Sequence, residues 1–272
     1  MKNQNVTLCT IVLAAVLGLF ALTAVFPFLY MALLSFTQSK SLTFSLSEIS
    51  LDFTNYRRVF SNTNFFSALR NSILVSGLSC MFNCLISSMA AYGFEKKEFP
   101  GKEKIFSLYL ATLMVPGQVT LIPVFIIMKQ LGLLNTYFAL IVVIINAFGV
   151  FLIRQFMKGV PDELIEAAKV DGCPELWIFT GIVIPLIKPV LISLVVFTFI
   201  SSWNDFIWPL VIATSSEMQT LTLALSLLKG HFSTNYGLVM AGSTLTFLFP
   251  FILYVFLQKQ FVEGIALSGV KG

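Results

Sequence analysis

Val160-Pro161-Asp162-Glu163-Leu164-Ile165-Glu166-Ala167-Ala168-Lys169-Val170-Asp171-Gly172 is a polar island between two stretches of almost unbroken apolar residues. It carries its own start and stop signals, so the apolar runs on either side are separate elements that it connects. Pro161 suits the first position of a helix, where its missing N–H would have had no partner. Asp162 and Glu163 fall in the first turn and Lys169 in the last, matching the helix dipole at both ends. Gly172 can adopt the left-handed conformation that ends a helix. Leu164 and Ala168, with Ile165 beside them, form an apolar strip whose alanines leave room for a close partner. Pro174 permits a second short helix, and Pro185 and Pro189 close the segment. A capped helix with a small-residue strip, held in a loop, points to docking onto another protein.

The surrounding composition sets the class. The chain is 57% hydrophobic and 11% charged, with 28 phenylalanines, far from the mix of a soluble domain. Six segments approach or exceed the roughly 20 apolar residues that cross a bilayer: Leu8–Phe36, Ser72–Tyr92, Ile105–Met128, Tyr137–Met157, Pro189–Ile212 and Leu238–Leu257. Four contain no Asp, Glu, Lys or Arg; the fourth span holds Arg154 near one end and the fifth holds Asp205. Hydrocarbon offers no partner to an exposed backbone amide, so such segments must be helical. The expectation is an all-α membrane protein, a bundle of six transmembrane helices.

The first span is too long for the apolar region of a secretory signal, and no convincing small-residue cleavage site follows, so a retained helix is expected. Lys and Arg number eleven on one side of this topology and six on the other, which puts both termini in the cytoplasm. The net charge of +4 then reflects topology, and nothing suggests nucleic-acid binding. Ser72, Ser76, Cys80, Cys84 and Ser88 recur every four residues, so they share one ridge of the second span and let another helix approach closely. Cys80 and Cys84 are poorly placed for a disulfide. A phosphate-binding Gly-x-x-x-x-Gly-Lys-Ser/Thr loop is absent, as are His-Glu-x-x-His and any His/Cys cluster, so the chain has no evident ATP, protease or metal site. A self-sufficient ion-coupled carrier would bury several titratable groups along its path, and only Asp205 qualifies. His231 sits alone in a loop and is assigned no role.

Glu166-Ala167-Ala168, Asp171-Gly172, Phe179, Ile182 and Ile184-Pro185 fall at the spacing of the EAA loop of bacterial ABC importer permeases. Cys173 and Ile184 depart mildly from the usual alanine and leucine. The chain also resembles the carbohydrate branch of that family, the maltose and multiple-sugar permeases. Trp203-Asn204-Asp205-Phe206-Ile207-Trp208-Pro209-Leu210 is similar to its W-N-x-F-x-x-P-L pattern. Met114-Val115-Pro116-Gly117-Gln118 and Leu121-Ile122-Pro123 match it in the third span, where the prolines would kink the helix. Phe99-Pro100-Gly101-Lys102 is similar to the family's first cytoplasmic loop, although Glu95 and Lys97 replace its usual small and aromatic residues.

The resemblance implies the ABC importer type I transmembrane fold and the shorter, six-span subunit of a heterodimeric permease. Residues 1–66 would hold the first helix and an extracytoplasmic segment, 67–258 the permease core with a coupling loop at 158–188, and 259–272 a cytoplasmic tail. Partners implied are a second permease subunit, two copies of a cytoplasmic ATPase that bind ATP and Mg, and an extracytoplasmic solute-binding protein. Glu166, Ala167, Ala168, Asp171, Gly172 and Pro185 would couple to the ATPase, and the chain itself would be neither catalytic nor cofactor-bound. Trp203, Asn204, Asp205 and Phe206 combine aromatic faces with hydrogen-bonding groups and are expected along a sugar path. An interfacial aromatic belt, or an Asp that caps a broken helix, are alternative readings of the same residues. Glycerol 3-phosphate is the alternative substrate, and an ion-coupled secondary carrier the alternative class.

Overall fold

The computed structural model describes residues 2–38, 52–62, 64–227 and 235–269. Lys40, His231, the residues around Lys229, most of the Ser/Thr-rich outer segment and Val270-Lys271-Gly272 lie outside them. Among the described residues every regular element is helical. The α-helices are α1 (Lys2–Leu34), α2 (Thr54–Asn62), α3 (Phe65–Lys96), α4 (Lys102–Ala111), α5 (Gly117–Gln130), α6 (Tyr137–Val142) and α7 (Ala147–Met157). They continue as α8 (Asp162–Val170), α9 (Glu175–Trp177), α10 (Ile184–Leu186), α11 (Lys188–Asn204), α12 (Ile207–Ile212), α13 (Leu221–Ser226) and α14 (Tyr236–Gly269).

Three described helical segments are long and apolar enough to cross a bilayer unaided: Thr10–Leu34, Phe65–Lys96 and Tyr236–Phe256. The other three expected spans are interrupted. The third turns by 101° between Lys102–Met114 and Gly117–Gln130, at Pro116, which leaves the helix with φ −60° and ψ 130°. Pro123 sits inside α5 without dividing it. The fourth is split between α6 and α7, where Asn146 takes an extended conformation and its side chain accepts from the Phe148 N–H. The fifth divides at Asp205 and Phe206. Each break frees backbone groups, which is tolerated at membrane depth only where protein or a wet cavity satisfies them.

One compact unit comprises Met1–Phe65 and Leu225–Leu248. The C-terminal end of α1 is tied off by Asn55 of α2, whose amide donates to the carbonyls of Ser35 (2.9 Å) and Thr37 (2.7 Å). The N-terminus of α2 is held by Asp52, which accepts from the Thr54 N–H at 2.9 Å. Hydrogen bonds from the Thr54 hydroxyl and Gln38 keep the Asp52 carboxyl below the usual carboxylate range. Gly237 in α14 lies so close that an added Cβ would stand 2.0 Å from the Thr37 carbonyl oxygen.

The other unit comprises Phe66–Ala224 and Phe249–Gly272. Its central pair is α3 against α11. Ser76 donates to Ser202 (3.2 Å), Cys80 and Cys84 reach the Val195 and Leu191 carbonyls, and Asn83 donates to Thr198 (2.8 Å). The four-residue ridge is thus a close helix contact, and both cysteines are free. α7 packs still closer: a Cβ on Gly149 would lie 2.4 Å from the Ser87 hydroxyl. One apolar core joins Tyr92, Phe106, Ile153, Ile165, Phe179 and Leu194; another joins Val75, Met128, Leu140, Trp208 and Ile212. Asn71, fully buried, binds the Glu217 and Gln219 carbonyls and accepts from Tyr137.

Candidate functional site

Two regions carry the functional groups. The first is the 158–188 loop. α8 begins at Asp162, one residue later than the sequence suggests, with Pro161 as the N-cap. Its end is a full Schellman closure: Gly172 N–H donates to Lys169 O and Cys173 N–H to Ala168 O, each at 3.0 Å. Gly172 has φ 74°, as expected, and open space around its Cβ direction.

The apolar strip divides differently from its sequence reading. Ile165 and Ala168 are buried in the chain's own core, because the turn of α8 that carries them faces α7 and the helices that follow. Leu164 stays 44% exposed, Val170 87%, Leu176 72% and Trp177 50%, and Glu166, Ala167, Asp171 and Pro185 are exposed as well. The outward face is therefore Leu164, Glu166, Ala167 and Val170, with Leu176 and Trp177 on the next helix. After α9 the backbone continues as a π-helix over Ile178–Val183, a geometry that is frequent at functional sites. It then turns by 78° into α11.

The C-terminal end of α3 and the residue that follows it grip this loop at two points. The Lys96 ammonium, 4% exposed, binds the Asp162 carboxylate (2.6 Å) and the Val160 carbonyl (2.7 Å) at the start of α8. Tyr92 and Lys97 both donate to Glu175, beyond Gly172. Glu95 pairs with Arg154 of α7 at 2.9 Å, and Arg154 also meets Glu103 of α4 at 2.5 Å while lying over the Phe106 ring. The two unusual residues of the 93–104 loop, Glu95 and Lys97, are thus each half of an ion pair.

The second region is a cleft of about 580 Å³ lined by Val143, Ile144, Asn146, Phe197, Ile200, Ser201, Asn204 and Asp205. A smaller cavity of about 280 Å³ adjoins it, lined by Gly117, Gln118, Thr120, Leu121, Val124, Val143, Asp205, Ile207 and Trp208. Asp205 and Val143 border both. The breaks of the third, fourth and fifth spans therefore meet at one place. Asp205 caps α12, its Oδ1 accepting from the Trp208 N–H at 3.3 Å, and the Trp208 indole N–H binds the Ala139 carbonyl of α6 at 2.8 Å. Among the described residues no group of three His, Cys, Asp or Glu could hold a metal ion.

Residues 83–266 match the family described as binding-protein-dependent transport system inner membrane component. The chain belongs to this family. It is a multi-pass permease subunit of a bacterial ABC importer that works with a solute-binding protein, and it is not itself an enzyme. The arabinooligosaccharides transport system permease AraQ of Halalkalibacterium halodurans is 35% identical to it, with all of both chains covered. The lactose transport system permease LacG of Rhizobium radiobacter is also 35% identical, over 96% of each chain. The crystal structure of a bacterial ABC transporter involved in import of the acidic polysaccharide alginate contains a chain similar in fold. It has a TM-score of 0.80 and 26% identity over 93% of this chain and 96% of that one. The fold is the type I transmembrane fold of ABC importers.

In this permease the fifth-span string serves two purposes. Asn204 and Asp205 face the cleft, whereas Trp203 is 1% exposed and stacked on Phe199, with Phe249 on its other contact. Trp203 packs the helix rather than lining the cleft, because it sits on the face of α11 turned toward Phe249. Phe206 is half-buried and lines neither cavity. Reading Asp205 as the cap of a broken helix agrees with its geometry, and that role coexists with its place at the cleft. Sequence reasoning missed Asn146, Ser201 and Gln118. Asn146 had a legible signal: a lone cap-forming residue inside an apolar span marks a break.

Proposed function

We propose that this permease carries sugars or oligosaccharides across the cell membrane, delivered by an extracytoplasmic solute-binding protein and driven by a separate ATPase. The observation that carries the reading is the meeting of three broken spans at one half-polar cleft, which supplies a route through an otherwise apolar bundle. Kinship with permeases named for arabinooligosaccharide and lactose transport supports carbohydrate as cargo. Phe197, Ile200 and Val143 offer apolar faces to a sugar ring, while Asn146, Ser201, Asn204 and Asp205 can meet its hydroxyls.

The exposed face of α8 is the docking surface for the ATPase. Both termini and the 93–104 and 158–188 loops are cytoplasmic in this reading. Two ATPase copies bind ATP and Mg2+, a second permease subunit completes the pathway, and nucleotide-driven closure of the ATPase pair moves α8 as a rigid lever. Glu166 is placed to pair with a basic group of the ATPase, and Asp171 and Gly172 set the angle at which the chain leaves the helix. Pro185 helps hold the turn toward α11.

The test is purification of the tagged permease from its native membrane in mild detergent, followed by reconstitution with the binding protein and ATP inside vesicles. An ATPase and a second permease should co-purify, and sugar uptake should require ATP. Recovery of the chain without any ATPase, or uptake driven by an ion gradient alone, would overturn the proposal.

A further inference from the structure

We infer that the two adjoining cavities form one ligand subsite with Asp205 at its junction, which admits uncharged, hydroxyl-rich chains and turns away anionic ones. This rests on the importer reading and deepens it, because sugar cargo alone leaves neutral and acidic saccharides equally open.

The residues bordering the two cavities provide neutral donors and acceptors from Asn146, Ser201, Asn204, Gln118 and Thr120, and they include no Lys, Arg or His. Asp205 is the one charged residue among them and belongs to both linings. Its position is held by the Trp208 N–H, and Trp208 is itself anchored to Ala139, so the carboxylate cannot swing out of the junction without undoing the start of α12. Arg154, the basic residue of the fourth span, is engaged by Glu95 and Glu103 and lends no compensating charge. A fixed carboxylate beside apolar walls acts through a lower effective dielectric than bulk water and repels a passing anion over several ångströms. A hydroxyl group, by contrast, finds an acceptor in that carboxylate and donors in the Asn side chains. Phe197, packed edge-on against Phe148 at 5.7 Å, gives the larger cavity a rigid apolar wall.

The experiment uses the assembled importer in membrane vesicles with one cysteine added to each cavity, Ser201→Cys or Gln118→Cys. The chain without an added cysteine serves as the background. Labelling rates are measured with cationic trimethylammonium-ethyl and anionic sulfonato-ethyl methanethiosulfonates, each normalised to its rate with a free thiol. A cation-over-anion preference on the order of tenfold is expected at both positions. It should fall towards one in Asp205→Asn, which keeps the side chain's size and its acceptor oxygen. Equal normalised rates, or a preference that Asp205→Asn leaves unchanged, would overturn the charge filter while leaving the importer reading intact. Absence of labelling at both positions would overturn the cavities as an aqueous subsite. The same rates are then compared with and without ATP and orthovanadate. A nucleotide-dependent rate supports the place of the cavities on the transport route. A rate indifferent to nucleotide would remove them from that route and overturn the subsite, whereas the importer reading stands or falls by ATP-dependent uptake.

Discussion

At Gly172 the backbone has φ 74° and nothing stands within 4 Å of where a Cβ would be. The cost of a side chain there is therefore conformational and not steric, about 1 kcal/mol or more for a β-branched residue. Gly172→Val should loosen the Schellman closure, shift the exit of α8 and abolish ATP-driven uptake, while the solute-binding protein keeps its affinity. Gly172→Asn should be milder, since asparagine tolerates the left-handed region. Uptake assays on membranes with equal amounts of assembled complex separate the two. Normal uptake by Gly172→Val would count against a coupling role for this turn. Gly149 shows the opposite situation, with allowed φ but no room. Gly149→Ala should destabilise the protein by forcing apart α7 and α3, and Ser87→Gly in the same chain should recover part of the loss, because the nearest crowding atom, at 2.4 Å, belongs to Ser87, while the Asn83 Oδ1 remains at 3.1 Å. Thermal unfolding of the four variants of that cycle in detergent gives the interaction directly, and strict additivity would show that the contact is not the cause.

At the level of elements, the C-terminal end of α3 ties α8 to the bundle through Lys96, and Tyr92 together with Lys97, just past the helix, ties the chain beyond Gly172. Lys96 is nearly buried, so losing Asp162 leaves its charge with the Val160 carbonyl alone, a costly state for a desolvated ammonium. Lys96→Glu and Asp162→Lys should each lower the number of sugars moved per ATP hydrolysed, and the double exchange should restore part of it. A double exchange no better than the worse single variant would show that the pair does not transmit motion. The break in the fifth span gives a second prediction at this scale. Trp208→Phe removes the donor to a buried carbonyl, at a cost of about 1–3 kcal/mol, and frees α12 from α6. Lowered thermal stability together with faster labelling of a cysteine at Ser201 is the expected pair of results.

For the whole molecule the prediction is topological. Lys169→Cys and Arg57→Cys stand in exposed positions on α8 and α2, and the proposed orientation puts them on opposite sides of the membrane. A membrane-impermeant thiol reagent added to intact cells should mark position 57 and spare position 169 until the cells are opened. Marking of position 169 in intact cells would reverse the orientation, and with it the docking of α8 on a cytoplasmic ATPase.

What could be read from the chain alone was whatever depends on local chemistry. Apolar length dictates membrane helices, Pro161 and Gly172 bracket α8 through backbone preferences, and the small residues every four along the second span mark a close helix contact. These need no knowledge of neighbours. Pro116 likewise signals the turn in the third span by its missing N–H. The rest was decided by the fold. Ile165 and Ala168 carry the same apolar character as Leu164, and only the packing of α8 onto the chain's own core, the 178–183 segment included, assigns the first two inward and the third outward. Trp203 and Asn204 are adjacent, yet a helix sends neighbours about 100° apart, so one is buried beneath Phe249 and the other opens on the cleft. Asp205, Asn146 and Gln118 are separated by dozens of residues, and their meeting depends on where three separate helix breaks fall in space. No local propensity encodes that, because a break dictates where a helix stops and not which other break it will face.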